Sequence, residues 1–389
     1  QGRAAGVLVQ SSNGVPGGAL RVRVRGQGSI NAGNEPLYIV DGVQMNTANA
    51  SSNLSTNPLA SINPNDIESM EILKDAAASI YGSQAANGVV LITTKKGKSG
   101  ATKINFNTYT GWVTPVRQVD MMNTQEFINF RLDQRRNYYT RFSADPDLLE
   151  GLSRRNALSG ITADQFPALN LSNTQLGQLP QSEFDDFVNG LPTYDWQSEI
   201  FSETGRISNY ELSLSGGNEK TRFYISGSYN SQEGQIRKFD FERGTLRLNL
   251  DTDVSDKLTI ETKLNVSAIG QSGTILSGSF FENPTFSGLL VLPFNPIFDE
   301  TEATGYNEPL AGILAENPVK SLQLNERTTN TKQVSANMAF NYRIADNLRF
   351  RSYYGVDYRG LTENRYTDPR SFGGRNTDGS AYAQFNENV

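Results

Sequence analysis

Asp251, Asp253 and Asp256 form the acidic cluster whose spacing comes nearest to a cation-binding loop. A calcium loop also needs a glycine at its sharp turn and a distal bidentate glutamate, and this turn has neither at the required place, so no metal is expected there. What is missing narrows the chemistry further. The chain of 389 residues contains no histidine and no cysteine. That removes a Ser-His-Asp triad, a histidine-bearing metal centre, thiolate chemistry and disulfides. Arg21, Arg23 and Arg25 alternate along one strand face, where they could latch onto carboxylates of a facing wall or remain a solvated structural face. Gly26, Gly42, Gly82 and Gly88 are expected in tight turns, and none belongs to a phosphate-cradling loop. The net charge of -6, with Lys and Arg dispersed, argues against a nucleic-acid groove. These absences remove the most familiar enzymes though not every one, and the expectation is a protein that is not an enzyme, with no cofactor and no nucleic-acid partner.

The elements that would position these residues are mostly strands. No run of eighteen apolar residues exists, so no helical membrane span is expected, and any leader peptide lies outside these residues. Only 37% of the residues are hydrophobic, yet there are 20 Phe, 16 Tyr and 35 Gly. A transmembrane barrel tolerates that balance, because alternate strand residues face lipid while the lumen side stays polar. The alternation is explicit. Ile104, Phe106, Thr108, Thr110 and Trp112 share one face; Tyr210, Leu212 and Leu214 form a second run; Phe223, Ile225 and Tyr229 a third. Leu246, Leu248 and Leu250 alternate with Arg247, Asn249 and Asp251, and Leu258 to Ala268 alternate with Thr259, Glu261, Lys263, Asn265 and Ser267. Two more runs cover Val334–Ile344 and Leu348–Tyr358. A soluble sandwich alternates in the same way, but runs of about ten to fourteen residues exceed ordinary strands and match a tilted membrane crossing.

Connections give a second indication. The links at Gly216–Lys220, Ser255–Lys257 and Ala345–Asn347 are short, whereas those at Thr114–Gly205, Ser231–Phe241 and Gln271–Thr328 are longer, and the two kinds alternate. Outer-membrane barrels pair tight periplasmic turns with extended outer loops in this way. Seven strands cannot close, and an open edge in lipid is too costly, so the chain is expected to be part of a longer barrel. Trp112, Tyr229, Tyr342 and Tyr358 suit an interfacial aromatic girdle. Tyr138, Tyr139, Phe280, Phe281 and Phe286 lie in the long loops, where stacking on sugars and packing on a partner stay open. The first of these loops should carry a helix over Thr124–Tyr139 capped by Asn123.

Residues 1–100 read as a small α+β unit. Strands are expected at Leu20–Arg25, Pro36–Val40 and Gly88–Lys95, with a turn and cap signal at Asn63–Asp66. A short helix over Asp75–Tyr81 would be capped by Asp75 and ended by Gly82. The segments Arg21–Gly26, Glu35–Val43, Ile62–Asp75 and Ile80–Lys95 closely resemble, in order and spacing, the plug of the SusC/RagA family of TonB-linked transporters. Asp195-Trp196, Ser215–Glu219 and Leu246–Asn249 extend the resemblance into the barrel, and Gln84 departs from the arginine more common in the family.

The resemblance implies an α+β plug domain (1–100) followed by antiparallel transmembrane β-barrel strands (101–389), the first part of a barrel of about 22 strands. It implies plug signature residues with structural and gating roles: Arg21, Arg23, Arg25, Gly26, Asp41, Gly42, Glu71, Lys74, Asp75, Tyr81, Gly82, Asn87 and Gly88. It further implies location in the outer membrane, contact with its lipid, TonB-driven import of an oligosaccharide or peptide, and a SusD-like surface lipoprotein as partner. TonB would engage a segment upstream of Gln1. The rival expectation is a SusC-like scaffold subunit of an outer-membrane assembly or secretion complex, with a soluble β-rich adhesin or enzyme more distant.

Overall fold

The computed structural model describes residues 7–11, 14–18, 20–24, 34–45, 51, 57–74, 77–115, 117–141, 144–161, 166–273, 283–307, 316–371, 374 and 380–388. Its largest element is an antiparallel meander of eight strands: β7 (Gly100–Val113), β8 (Gly205–Gly217), β9 (Thr221–Glu233), β10 (Asp240–Ser255), β11 (Leu258–Ser272), β12 (Glu326–Ala345), β13 (Leu348–Thr367) and β14 (Ser380–Asn388). Each strand pairs only with its sequence neighbours. The sequence reading counts seven strands; β14, which pairs Ser380–Asn388 with Arg359–Thr367, is the addition. β12 and β13 each reach 20 residues, longer than their alternating cores indicate, because both continue upward through polar segments.

The meander is apolar on the outside. Ile104, Phe106, Trp112, Leu246, Phe350 and Tyr354 are each more than half exposed, while Ser226, Arg247, Asn249, Asn265 and Gln333 on the other face are buried. A soluble sandwich places its apolar face inward. This sheet does the reverse, as a barrel wall facing lipid must. Among the described helices none is long and apolar enough to cross a membrane.

Against the polar face sit two smaller sheets. β1 (Val7–Ser11) pairs antiparallel with β2 (Leu20–Val24). A four-stranded sheet runs in the order β4 (Val43–Gln44), β3 (Leu37–Val40), β6 (Val89–Thr94), β5 (Ile67–Leu73), with β3 and β6 parallel. The core here gathers Val22, Tyr38, Met45, Ile62, Val90 and Ile92. β5 is not among the strands read from sequence: Ile67, Ile72 and Leu73 pack on the cores of the small sheets, but the exposed Glu68–Glu71 between them breaks any period of two. The expected helix over Asp75–Tyr81 is corrected: its described part is a single 3-10 turn, Ser79–Tyr81, with no side-chain cap. Asp75 lies outside the described residues. Gly82 ends this turn at φ +76°, a conformation that glycine adopts without a Cβ clash.

The first long connection folds into helices: α1 (Thr124–Tyr139), α2 (Pro146–Ala157), α3 (Asn173–Gln178), α4 (Gln181–Gly190) and α5 (Trp196–Ile200). α1 matches the expected span. Asn123 and Glu126 close a capping box at its start, accepting from each other's backbone N–H at 2.9 and 3.0 Å. Ile128, Leu132, Leu158, Phe166 and Phe184 form its own core. The later long connection carries α6 (Pro284–Gly288) and α7 (Pro318–Leu324).

Candidate functional site

The two smaller sheets meet the wall through turns, and two of those turns carry buried carboxylates. Val40 pairs with Val43, so Asp41 and Gly42 form a two-residue hairpin tip with φ of +51° and +90°. Asp-Gly suits the turn that needs both residues left-handed. The second turn starts at Asn63, whose side chain accepts from the Asn65 N–H at 3.1 Å, and ends on Asp66. Local turn chemistry thus explains both positions before any contact with the wall is counted.

The wall answers with cations. Lys263 Nζ lies 2.6 Å from Asp41 Oδ1, and Arg247 Nη1 lies 3.5 Å from Asp41 Oδ2. Arg247 Nε is 3.4 Å from Asp66 Oδ2, an ion-pair distance without hydrogen-bond geometry. The other Asp66 oxygen accepts from Tyr224 Oη at 2.8 Å and Ser226 Oγ at 2.7 Å. Thr94, on β6, ties its own sheet in: its N–H and hydroxyl donate to Asp41 at 3.1 and 2.6 Å. Asn249 Nδ2 in turn donates to Thr94 Oγ1 at 3.0 Å and to the Lys95 carbonyl at 2.6 Å. Tyr353 Oη donates to the Asp41 carbonyl at 2.8 Å.

Strand register makes this a patch. Ser226 stands opposite Arg247, Tyr224 opposite Asn249, Asn265 opposite Arg247, and Lys263 opposite both Asn249 and Asn337. Period-two alternation therefore brings every one of these groups to the inner face of adjacent strands. Side-chain exposure is 3% for Asp41, 0% for Asp66, 2% for Arg247 and 9% for Lys263. Burial pushes the Asp41 carboxyl up, but the Lys263 charge and the hydrogen bonds from Lys263 and Thr94 outweigh it and hold the group below the ordinary carboxylate value. Weaker contacts surround the patch: Arg243 donates to the Ala60 carbonyl and Asn265 to the Ser61 carbonyl, at 3.3 and 3.4 Å.

Of the signature residues read from sequence, Asp41 and Gly42 belong to this patch. Of the two readings of the arginine row, a latch or a solvated structural face, the latch finds no contact at Arg21 or Arg23: among the described residues neither forms an ion pair with the wall. Val22 and Val24 take the inward positions of β2, leaving Arg21 exposed and Arg23 half-buried. In the buried patch the sign is the reverse of such a latch, with carboxylates on the small sheets and cations on the wall, while at its edge Lys96 lies 3.7 Å from Glu261 of β11. Arg25 and Gly26 lie outside the described residues. Glu71 and Lys74 stay at the end of β5, while Tyr81 packs on the Ile39–Val89 cluster. Asn87 precedes Gly88, whose φ is +90° and whose added Cβ would meet the Leu73 carbonyl at 3.2 Å. Gln84 accepts a hydrogen bond from Gln44. Asp66, Thr94, Tyr224, Arg247 and Lys263 carry roles that the sequence pattern did not assign, although cations on the polar face of an alternating strand were a usable signal.

Comparison with known proteins fits this geometry. A family model described as the TonB-dependent Receptor Plug Domain matches residues 1–89. A TonB-dependent receptor of Formosa agariphila is 31% identical over 95% of this chain and 32% of its own length. SusC of Bacteroides thetaiotaomicron is 28% identical over 96% of this chain and 34% of its own. The RagAB peptide importer in its closed-closed state superposes with a TM-score of 0.70 at 25% identity, over 94% of this chain and 39% of that one. The chain belongs to the SusC/RagA-like TonB-dependent receptors. It spans about a third of the length of the curated relatives it matches. The small sheets are the receptor's plug, the meander is part of its outer-membrane barrel, and the exposed apolar face is the one in contact with lipid.

Proposed function

We propose that the complete receptor imports a nutrient across the outer membrane, with residues 1–100 acting as a plug that closes the lumen at rest and residues 101–389 supplying part of the barrel. The observation that carries this reading is the seating of Asp41 and Asp66 on Arg247 and Lys263, four charges buried between plug and wall. Attraction between these charges is strongest while water is excluded and falls once water enters. A pull on the plug that admits water therefore loosens the seat it acts on. TonB, engaging a segment upstream of Gln1, would supply that pull.

Cargo is an oligosaccharide or a peptide; the matched importer is described as carrying peptides. A SusD-like surface lipoprotein would cover the outer mouth, above the loops that bear α1–α7. Glu71, Lys74, Tyr81 and the turn glycines keep the plug's shape, and no residue takes part in covalent chemistry.

The test is purification of the complete receptor from source outer membranes in mild detergent, with co-purifying chains identified by mass spectrometry. A stoichiometric surface lipoprotein, together with uptake that stops when the inner-membrane energy source is removed, is the expected result. Co-purification of a set of assembly or secretion factors without energised uptake would overturn import in favour of a scaffold.

A further inference from the structure

Two plug turns from separate parts of the sequence end on one guanidinium. Arg247 reaches Asp41 through Nη1 at 3.5 Å and Asp66 through Nε at 3.4 Å, while Lys263 lies 2.6 Å from Asp41. Among the described ion pairs Lys263 has none with Asp66. The formal charges of the four side chains cancel, and all four are buried. In such a site a surplus charge is costly to any neighbour within reach, because screening by water is absent.

We propose that Asp41, Asp66, Arg247 and Lys263 form one charge-balanced catch for the plug, in which neutralising one member opens the seat and neutralising an opposite member that does not touch it closes the seat again. The inference rests on the reading of the plug as a gate. Asp66→Asn keeps the shape of the turn, and its amide oxygen still accepts from Tyr224 and Ser226. Among the described ion pairs it leaves Arg247 and Lys263 sharing Asp41, with the four-residue set one positive charge in excess. Lys263→Gln in that background removes the excess. Arg247 then has Asp41 to itself, and the introduced amide can still donate to Asp41. Two independent pairs would behave otherwise, since Lys263→Gln would strip Asp41 of its nearest cation and add a second defect.

The experiment uses the complete receptor in outer membranes. Passive entry of a bulky fluorescent solute is followed without an energy source, and barrel folding is checked by the mobility of unheated samples in electrophoresis. Asp66→Asn and Lys263→Gln are each expected to raise entry about tenfold, and the double variant to return within about twofold of the unsubstituted receptor. Entry in the double variant equal to the product of the single effects would overturn the catch, as would folded single variants that admit no more solute than the parent. Where a single variant fails to accumulate, the folded yield is read in place of entry: recovery in the double supports the catch and further loss overturns it. Passive entry needs neither cargo nor TonB, so a negative result here is separate from loss of energised uptake, which tests import itself.

Discussion

Leu246 puts the orientation of the wall to a direct test. It lies on β10 between Gly227 and Val266 of the neighbouring strands and is 53% exposed, while the next residue, Arg247, is buried. Six residues separate it from Asp240 at the outer end of the strand, about 20 Å along the strand and about 15 Å of depth at the usual barrel tilt. That depth is near the middle of an apolar band about 25 Å tall. Gly227 offers no side chain behind which a cation could shelter. Leu246→Arg should therefore cost about 2–4 kcal/mol, or roughly 30-fold to several hundred-fold in the folding equilibrium. On the exposed face of a soluble sandwich the same change would stay within about 0.5 kcal/mol. Folding of the complete receptor into lipid vesicles, titrated with urea and read by the mobility of unheated samples, separates the two. A Leu246→Arg receptor that folds into vesicles as well as its parent would refute the assignment of this face to lipid.

Gly42→Ala should weaken the hairpin tip by about 1–2 kcal/mol, from its left-handed backbone alone. Its new Cβ would also stand 3.0 Å from Tyr353 Oη, and faster hydrogen exchange over β3 and β4 is the readout. The lowered Asp41 carboxyl contributes stability above its unfolded value of about 3.9, and that contribution is lost as pH falls through the still lower folded value. Plug closure should accordingly hold from neutral pH down to about 4 and fail only below; passive conductance in lipid bilayers that climbs from pH 6 would contradict this. Asn123→Ala removes the capping box of α1, costs about 1 kcal/mol, and should speed protease cleavage within α1 about fivefold while leaving the barrel's electrophoretic mobility unchanged.

The strand faces were legible because a period of two separates lipid from lumen along one strand, as Leu246 and Arg247 show within two residues. The alternation of tight turns and long loops was legible for the same local reason: Asn218, Asp256 and Asn347 mark turns by residue type. Pairing across the lumen was not legible. Asp41 read as turn chemistry and Lys263 as one more polar inner residue, and nothing local records that residues 222 apart in sequence meet at 2.6 Å. The arginine row left a latch and a solvated face both open, because alternating cations suit either until Val22 and Val24 claim the inner side. The helical unit in the first long connection was visible only at α1, where Asn123 and Glu126 give a cap. Its core depends on Leu158, Phe166 and Phe184, which come from separate short segments without a sustained period.

The seat described above is made by β9, β10 and β11, with Tyr353 added from β13, and all of these strands follow the plug closely along the chain. Every group of the seat therefore lies between Asp41 and Tyr353, so the stopper and the surface that holds it are carried by one continuous stretch of the polypeptide, and no stave from beyond that stretch is needed to complete these contacts.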